Sequence, residues 1–394
     1  MRVIQYDLAD PTFPASLAEV DEPALPRPDW ARIAVTGCGI CGSDLHLFSP
    51  NMGRAPAIGA SLHSHAFPFV LGHEIAGVVV EAGPECTVPV GTRVAVLPDI
   101  NCEARGIDPP CRPCANGWES ACHNAGSGVL TPGSALGFTS GLGGGWAEQA
   151  VAHESMLFPL PDAVPDHAAT LHEPVSIAVH GLLRAPPRDD DPVLVIGAAI
   201  IGLATVAAVK TLFPHSPVTV VARHDAQAAA AHAVGADAVI RQRDDRSHFP
   251  ELAERVGARC TGAGDTAMLT GGFPYVVDAV GYPGTVTDAL RLVDTRGTIL
   301  MLGAAATGEY DLSPLWWKEC AMVGAVRHSP DPGIGDTPVR HSIARALEIL
   351  AAGALPSDAV VTHEFGLADY RDAVHTALDR EAGAIKVVFR PALG

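Results

Sequence analysis

The stretch GCGICGSDLH, residues 37–46, crowds Cys38, Cys41, Ser43, Asp44 and His46 into one short segment near the start of the chain. Cys38 and Cys41 form a C-x2-C pair, a spacing used for metal binding and for thiol redox chemistry. Further on, LGHEIAG sets His73 beside Glu74, and LHEPVSIAVHG offers Glu173. A catalytic zinc takes three protein ligands of sulfur, nitrogen and oxygen type and keeps a fourth position open. Cys41, His73 and Glu173 could supply that set from three separate loops, although each residue taken singly has a structural reading as well. A second cluster holds Cys102, Cys111, Cys114 and Cys122, the last three spaced C-x2-C-x7-C. In a chain this long, such clustering favours a metal over a disulfide framework.

A third constellation suits a phosphate. VIGAAIIG places Gly197 and Gly202 between an apolar run and a helix-like segment, with Ala199 where the middle glycine of G-x-G-x-x-G belongs. Such a turn lets the backbone approach a pyrophosphate and aims a helix N-terminus at it. The next strand ends in VVARHDAQ, and counting back from the VGAD turn puts the strand-end position at Ala222, followed by Arg223 and His224. An NAD site carries a carboxylate there to hold the ribose 2′-OH. Its absence, and the guanidinium of Arg223, favour NADP over NAD. A one-residue slip would instead bring Asp225 to the ribose.

The elements that must position these residues fall into two groups. Residues 1–180 are rich in Gly, Pro, Cys and His and carry short strand-like runs such as RIAVTG, IAGVVVEAG and TRVAVLP, which predict an irregular β-rich domain. APPRDDDP, 185–192, is a linker-like break. Beyond it VLVIG, VTVVAR, DAVI, YVVDAVG, TILMLG and AMVGAV are short apolar strands, most of them separated by helical stretches. That alternation predicts a parallel sheet covered on both faces. From about residue 327 the chain returns to a helix, RHSIARALEILAAG, and a final strand, IKVVFR. The stretch 192–209 is uncharged and long enough to mimic a membrane span, but it divides into strand, turn and helix.

The chain has 394 residues, 48% hydrophobic and 18% charged, which predicts a globular protein of two domains. Its formal charge is −18 and no Lys/Arg block stands out, so nucleic-acid binding is not expected. The N-terminus lacks the apolar core of a signal peptide, which predicts a cytoplasmic protein.

Taken together, CGICGSDLH, GHEIAG, CRPCANGWESAC, the Glu173–Pro174 pair and the Gly197–Gly202 turn resemble the zinc-dependent medium-chain alcohol dehydrogenases, including the polyol and threonine dehydrogenase branches. The resemblance runs from about residue 25 to the end. It implies an α/β fold: a GroES-like β-rich catalytic domain, 1–180 completed by 327–394, and a Rossmann doubly wound parallel-sheet domain, 181–326, with the active site between them. It implies hydride transfer between NAD(P) and an alcohol, or the matching aldehyde or ketone. By resemblance Cys41, His73 and Glu173 bind the catalytic zinc, Glu74 is an alternate ligand, and Asp44 orients the His73 ring. Ser43 then touches the substrate hydroxyl and His46 ends a proton relay, while Cys38 is a buried thiol without a role. The resemblance also implies a homodimer or homotetramer, with TILMLG and AMVGAV as candidate interface strands.

Departures from the family pattern leave two matters open. The related enzymes have a fourth cysteine three residues before Cys111, where this chain has Asp108. Either Asp108 completes a site of three thiolates and one carboxylate, or the Pro-Pro turn folds Cys102 inward to make a closed structural zinc site, or the site is empty; Cys102 is slightly favoured. The stretch between Cys41 and His73 is long and holds His63 and His65, as an exposed loop or a lid. Two other functions compete: a metal-free medium-chain reductase of activated double bonds, and a non-enzymatic zinc-stabilised protein that retains the fold. The three metal-ligand types argue against the first, and Ser43 with His46 against the second.

Overall fold

The structure is a computed structural model that describes residues 1–7, 10, 12–48, 66–305, 307–334, 338–379 and 382–393. The loop holding His63 and His65 lies outside the described residues. In the N-terminal part the strand Trp30–Gly39 alternates buried and half-buried positions along much of its length, the period of a sheet with one face on a core. It pairs antiparallel with Glu74–Ala82 and with Gln149–His153. A seven-stranded sheet grows around it, in the order Val361–Phe365, Lys386–Phe389, Trp30–Gly39, Glu74–Ala82, Arg93–Val96 and Leu157–Pro159, with Gln149–His153 off this path. Two of these strands come from the end of the chain, which therefore closes back onto its beginning. Trp30 and Trp146 are fully buried in its core. A small sheet of Ala15–Glu19, Arg2–Tyr6 and Phe69–Val70 extends the domain ahead of residue 25.

The register of one strand pair does most to build the site. Gly39 lies opposite Glu74. Cys41 follows the first strand and His73 precedes the second, so the pairing brings both to the same end of the sheet. Gly39 leaves room for the Glu74 carboxylate where it stands, since a Cβ there would lie 1.8 Å from Glu74 Oε2.

The middle of the chain forms a six-stranded all-parallel sheet: Ala238–Arg241, Val218–Ala222, Val193–Ile196, Phe273–Asp278, Val293–Met301 and Ala321–Gly324, in that spatial order. Numbered by sequence within this sheet the order is 3-2-1-4-5-6, that of the Rossmann fold. Val193–Ile196 and Val218–Ala222 are buried at every position, as a sheet covered on both faces requires. The strand order reverses between Val193–Ile196 and Phe273–Asp278, the place where such sheets open a crevice for a ligand. One unexpected piece is a short antiparallel pair, Arg259–Thr261 with Met268–Thr270. The helix His172–Arg184 packs against elements of both sheets. Among the described residues no helix is long and apolar enough to cross a membrane, and the apolar stretch 192–209 divides into the strand Val193–Ile196, a turn and the helix Ile200–Leu212.

Candidate functional site

Cys41, His73 and Glu74 bring one sulfur, one ring nitrogen and one carboxylate oxygen within 4.8 Å of one another. Cys41 precedes the short helix Gly42–His46, whose Asp44 is fully buried. Asp44 Oδ2 accepts the Cys41 N–H at 2.9 Å, while Oδ1 stands 3.4 Å from His73 Nδ1. With Nδ1 turned to a carboxylate, Nε2 is left for a metal, the usual arrangement around a ligating histidine. Ser43 Oγ lies 3.3 Å from that Nε2. Burial alone would lower the His73 pKa, but the charges of Asp44 and Cys41 outweigh it and hold it well above the ordinary value.

Glu74 is buried, and one oxygen, Oε1, takes the Lys386 ammonium at 2.5 Å. Lys386 Nζ also donates to the Ile40 carbonyl at 3.0 Å and is only 1% exposed. The other oxygen, Glu74 Oε2, is buried without a partner. Burial raises the Glu74 pKa, partly offset by Lys386. An orphaned buried carboxylate oxygen beside a thiol and an imidazole suits a divalent zinc, which balances the charge and satisfies the oxygen together.

Here the structure departs from expectation. Glu74, expected as the alternate ligand, stands in the group where Glu173 was expected. Glu173 opens the helix His172–Arg184, whose start is pinned by His172: Nδ1 is 2.7 Å from the Ala169 carbonyl and Nε2 3.1 Å from the Val96 carbonyl. Its Oε1 is taken by His328 Nε2 at 3.1 Å, which draws it aside. Burial alone would raise its pKa, yet His328, His73 and Lys386 bring it down to about 2. Glu173 is therefore held by His328 outside the Cys41–His73–Glu74 group. His46 is exposed at the end of the short helix, and no hydrogen bond joins it to Ser43 among the described residues. Cys38 is fully buried, and burial pushes its thiol well up.

A second group suits a metal as well. Cys102, Cys111, Cys114 and Cys122 bring their sulfurs within 4.8 Å of one another. Cys102 and Cys111 lie 3.7 and 3.9 Å from Cys122, close to the ~3.8 Å that a tetrahedral zinc with bonds of about 2.3 Å imposes. Backbone N–H groups of Cys111, His123 and Asn124 and the Asn124 side-chain amide point at three of the sulfurs. Such donors stabilise thiolates. Asp108 is exposed and outside the group. The backbone folds Cys102 inward instead, and fully buried Arg105 ties the lobe to the carbonyls of Ser127 and Gly133.

In the parallel sheet, Gly197 turns the chain at φ +97° and Ala199 caps the helix Ile200–Leu212. A Cβ on Gly202 would stand 1.9 Å from the Gly197 carbonyl oxygen, so the turn depends on its end glycines while Ala199 fits the middle. Ala222 ends its strand fully buried, and Asp225 begins the helix after it. Half-exposed Arg223 stands 3.4 Å from Asp244. Arg241 is paired in register with Ala222 and reaches Asp225 at 3.3 Å. Its Nη1 is buried without a partner.

Residues 27–162 match the alcohol dehydrogenase GroES-like domain and residues 201–339 the zinc-binding dehydrogenase domain. The chain belongs to the zinc-dependent medium-chain dehydrogenase family. L-idonate 5-dehydrogenase of Vitis vinifera is 28% identical over 91% of this chain and 87% of its own length. Sorbitol dehydrogenase of Arabidopsis thaliana is 27% identical over 92% of this chain and 88% of its own. Among solved structures, a zinc-binding dehydrogenase from Sinorhizobium meliloti 1021 bound to NADP shares 25% identity and a TM-score of 0.75, covering 99% of each chain. An alcohol dehydrogenase from Escherichia coli CFT073 complexed with NADH has the same fold, at 24% identity, a TM-score of 0.74 and 99% of each chain covered. The protein is an alcohol oxidoreductase that uses zinc and a nicotinamide cofactor on a small alcohol or carbonyl compound. Neither the metal-free reductase nor the non-enzymatic alternative is favoured.

Two site residues escaped the sequence reading. Lys386 reads as one cation opening an apolar strand, and His328 as one histidine in a polar connection; each gains meaning only from a partner distant in sequence.

Proposed function

We propose that the enzyme interconverts a secondary hydroxyl of a polyol and the matching ketone, at a zinc held by Cys41, His73 and Glu74. The observation that carries this reading is their convergence with the partnerless Glu74 Oε2. The polyol is supported by relatives named for idonate, sorbitol and arabinitol. When bound, zinc supplies a Lewis acid and the nicotinamide gives or takes a hydride. Asp44 fixes the His73 ring through Nδ1. Ser43 Oγ would take the proton of the substrate hydroxyl while giving up its own, and exposed His46, which among the described residues makes no direct hydrogen bond to Ser43, would return a proton to solvent at the end of the relay; in reduction the path is retraced. Lys386 and His328 each hold one oxygen of a carboxylate, so that Glu74 and Glu173 share a pocket with less mutual repulsion.

NADP is the preferred cofactor in this reading. No carboxylate stands at the Ala222 strand end, and Arg223 and Arg241 flank it, a charge pattern suited to a 2′-phosphate. Cytoplasmic residence and a homodimer or homotetramer complete the proposal. The edge strand Ala321–Gly324 carries exposed positions, and Trp316 and Trp317 nearby are 83% and 59% exposed. Light scattering on the purified protein checks the assembly, and a monomer at micromolar concentration would reject it. The main test is reduction of NADP+ with a panel of polyols and simple alcohols. Wild-type protein should turn over polyols, and Cys41→Ser and His73→Ala should abolish turnover with circular dichroism unchanged. Near-wild-type rates in either variant would reject the ligand assignment.

A further inference from the structure

The connection that leaves the parallel sheet begins with Arg327 and His328. Arg327 has φ +74°, a backbone region rarely used by residues with a side chain and maintained where the surroundings enforce it. Its guanidinium Nη1 donates to the Ser120 carbonyl at 2.7 Å and lies 3.5 Å from Asp99 Oδ1. Ser120 belongs to the short turn Glu119–Ala121, directly before Cys122 of the four-cysteine lobe. The next residue, His328, is 2% exposed and held on both ring nitrogens. Nδ1 stands 2.5 Å from Ser176 Oγ and Nε2 3.1 Å from Glu173 Oε1. Ser176 Oγ in turn donates to the Glu173 carbonyl at 2.7 Å. The imidazole thus grips the first turn of the helix His172–Arg184 from another element, at the carboxylate that stands outside the Cys41–His73–Glu74 group.

We propose that His328 is a positioning residue that holds Glu173 at the wall of the metal pocket, and that Arg327 seats it against the four-cysteine lobe. The inference rests on the metal reading above. With Oε1 held, Glu173 stays beside the three ligands and leaves the fourth position open for substrate, which a catalytic zinc needs and a structural one lacks. Without the Nε2 donor, Glu173 is free to swing in and close that position. The strained Arg327 backbone fixes where the ring sits, so the lobe around Cys122 acts on the substrate position through two adjacent residues.

The two ring nitrogens can be tested separately in full-length enzyme loaded with cobalt(II). His328→Asn keeps an amide near the place of Nδ1 and loses the reach to Glu173. His328→Gln carries its amide out to the place of Nε2. In the His328 variants the four-cysteine site is untouched and cancels in difference spectra against wild type; for Arg327→Gly, which loses a contact next to Cys122, cobalt is placed at the Cys41 site alone with zinc kept in the lobe. The Asn variant is expected to shift the visible absorption of cobalt at Cys41 and to lose kcat about tenfold or more, as other partners that orient metal ligands do. The Gln variant is expected to keep the wild-type spectrum. Arg327→Gly, which tolerates the positive φ, is expected to shift the spectrum in the same direction as the Asn variant while the four-cysteine site keeps its metal. Identical spectra for wild type and the Asn variant would overturn the positioning role, and an unchanged Arg327→Gly spectrum would overturn the link to the lobe. If wild type and Cys41→Ser give the same cobalt spectrum, the metal reading itself fails, and this inference with it.

Discussion

Glu74 and Glu173 are two buried carboxylates close enough to feel one another's charge, and each is held by a cationic or hydrogen-bonding partner from the late part of the chain. Lys386 lies 312 positions from Glu74, and His328 lies 155 from Glu173. Removing either partner leaves a buried charge uncompensated, a change that costs about 3–5 kcal/mol. The same charge logic governs the cofactor site. Arg223 can pair with a 2′-phosphate, and a charge-assisted hydrogen bond of that kind is worth about 1.5–3 kcal/mol. Wild-type enzyme is therefore expected to show a higher kcat/KM with NADP(H) than with NAD(H), and Ala222→Asp combined with Arg223→Ala to reverse the order. Steady-state kinetics with both cofactors check this; a preference for NAD(H) that survives loss of Arg223 would mean the ribose lies elsewhere. At this scale the sequence reveals residues that announce themselves by type and local spacing: Cys41, His73, Glu74 and the four clustered cysteines. It does not reveal Lys386 or His328, because a buried cation is recognisable only once its distant carboxylate is known. The contact of Glu173 with His328, which leaves Glu74 nearer to Cys41 and His73, was hidden for the same reason.

Among the elements, the pairing of Gly39 with Glu74 sets Cys41 beside His73. A one-residue slip would turn the Glu74 side chain to the opposite face. The parallel sheet was legible because buried strands read as unbroken apolar runs, and its helices as alternating patterns. The expected strand limits differ from the observed ones by a few residues, as at Val293–Met301, where the apolar run marks only the second half of the strand. The hairpin at Arg259–Thr261 was not legible, since its strands are three residues long and bury one residue, Leu269, between them. The four-cysteine lobe lacks regular structure beyond single turns, so its geometry depends on the metal it is built to hold. Cys102→Ser should cost one zinc per chain and lower the melting temperature by several degrees, whereas Asp108→Asn should change neither. Metal analysis with thermal melts decides; zinc loss in the Asp108 variant alone would point to the carboxylate as the fourth ligand.

Among the described residues the helix His172–Arg184 joins the two large sheets of the molecule, and acid should loosen the fold at a particular place. His341 Nδ1 accepts the Ile343 N–H at 3.2 Å and caps the helix Ser342–Ala351. Burial, aided by His328 and His180, pulls its pKa down to about 3. The folded value lies below the unfolded value of about 6.5, so the stabilisation is complete above that pH and lost progressively as pH falls from about 6.5 towards 3. At pH 5 the loss is on the order of 2 kcal/mol. His341→Asn, which can still cap but does not titrate, should therefore lose less melting temperature than wild type between pH 7 and pH 5; equal losses would show that this histidine is not what acid attacks. A catalytic zinc held by Cys41, His73 and Glu74 would be distinct from one in the cysteine lobe. The most direct measurement is zinc per chain, by elemental analysis, in freshly purified wild type and Cys41→Ser. The account predicts about two zinc ions in wild type and about one in the variant. Equal zinc content in the two proteins would contradict it.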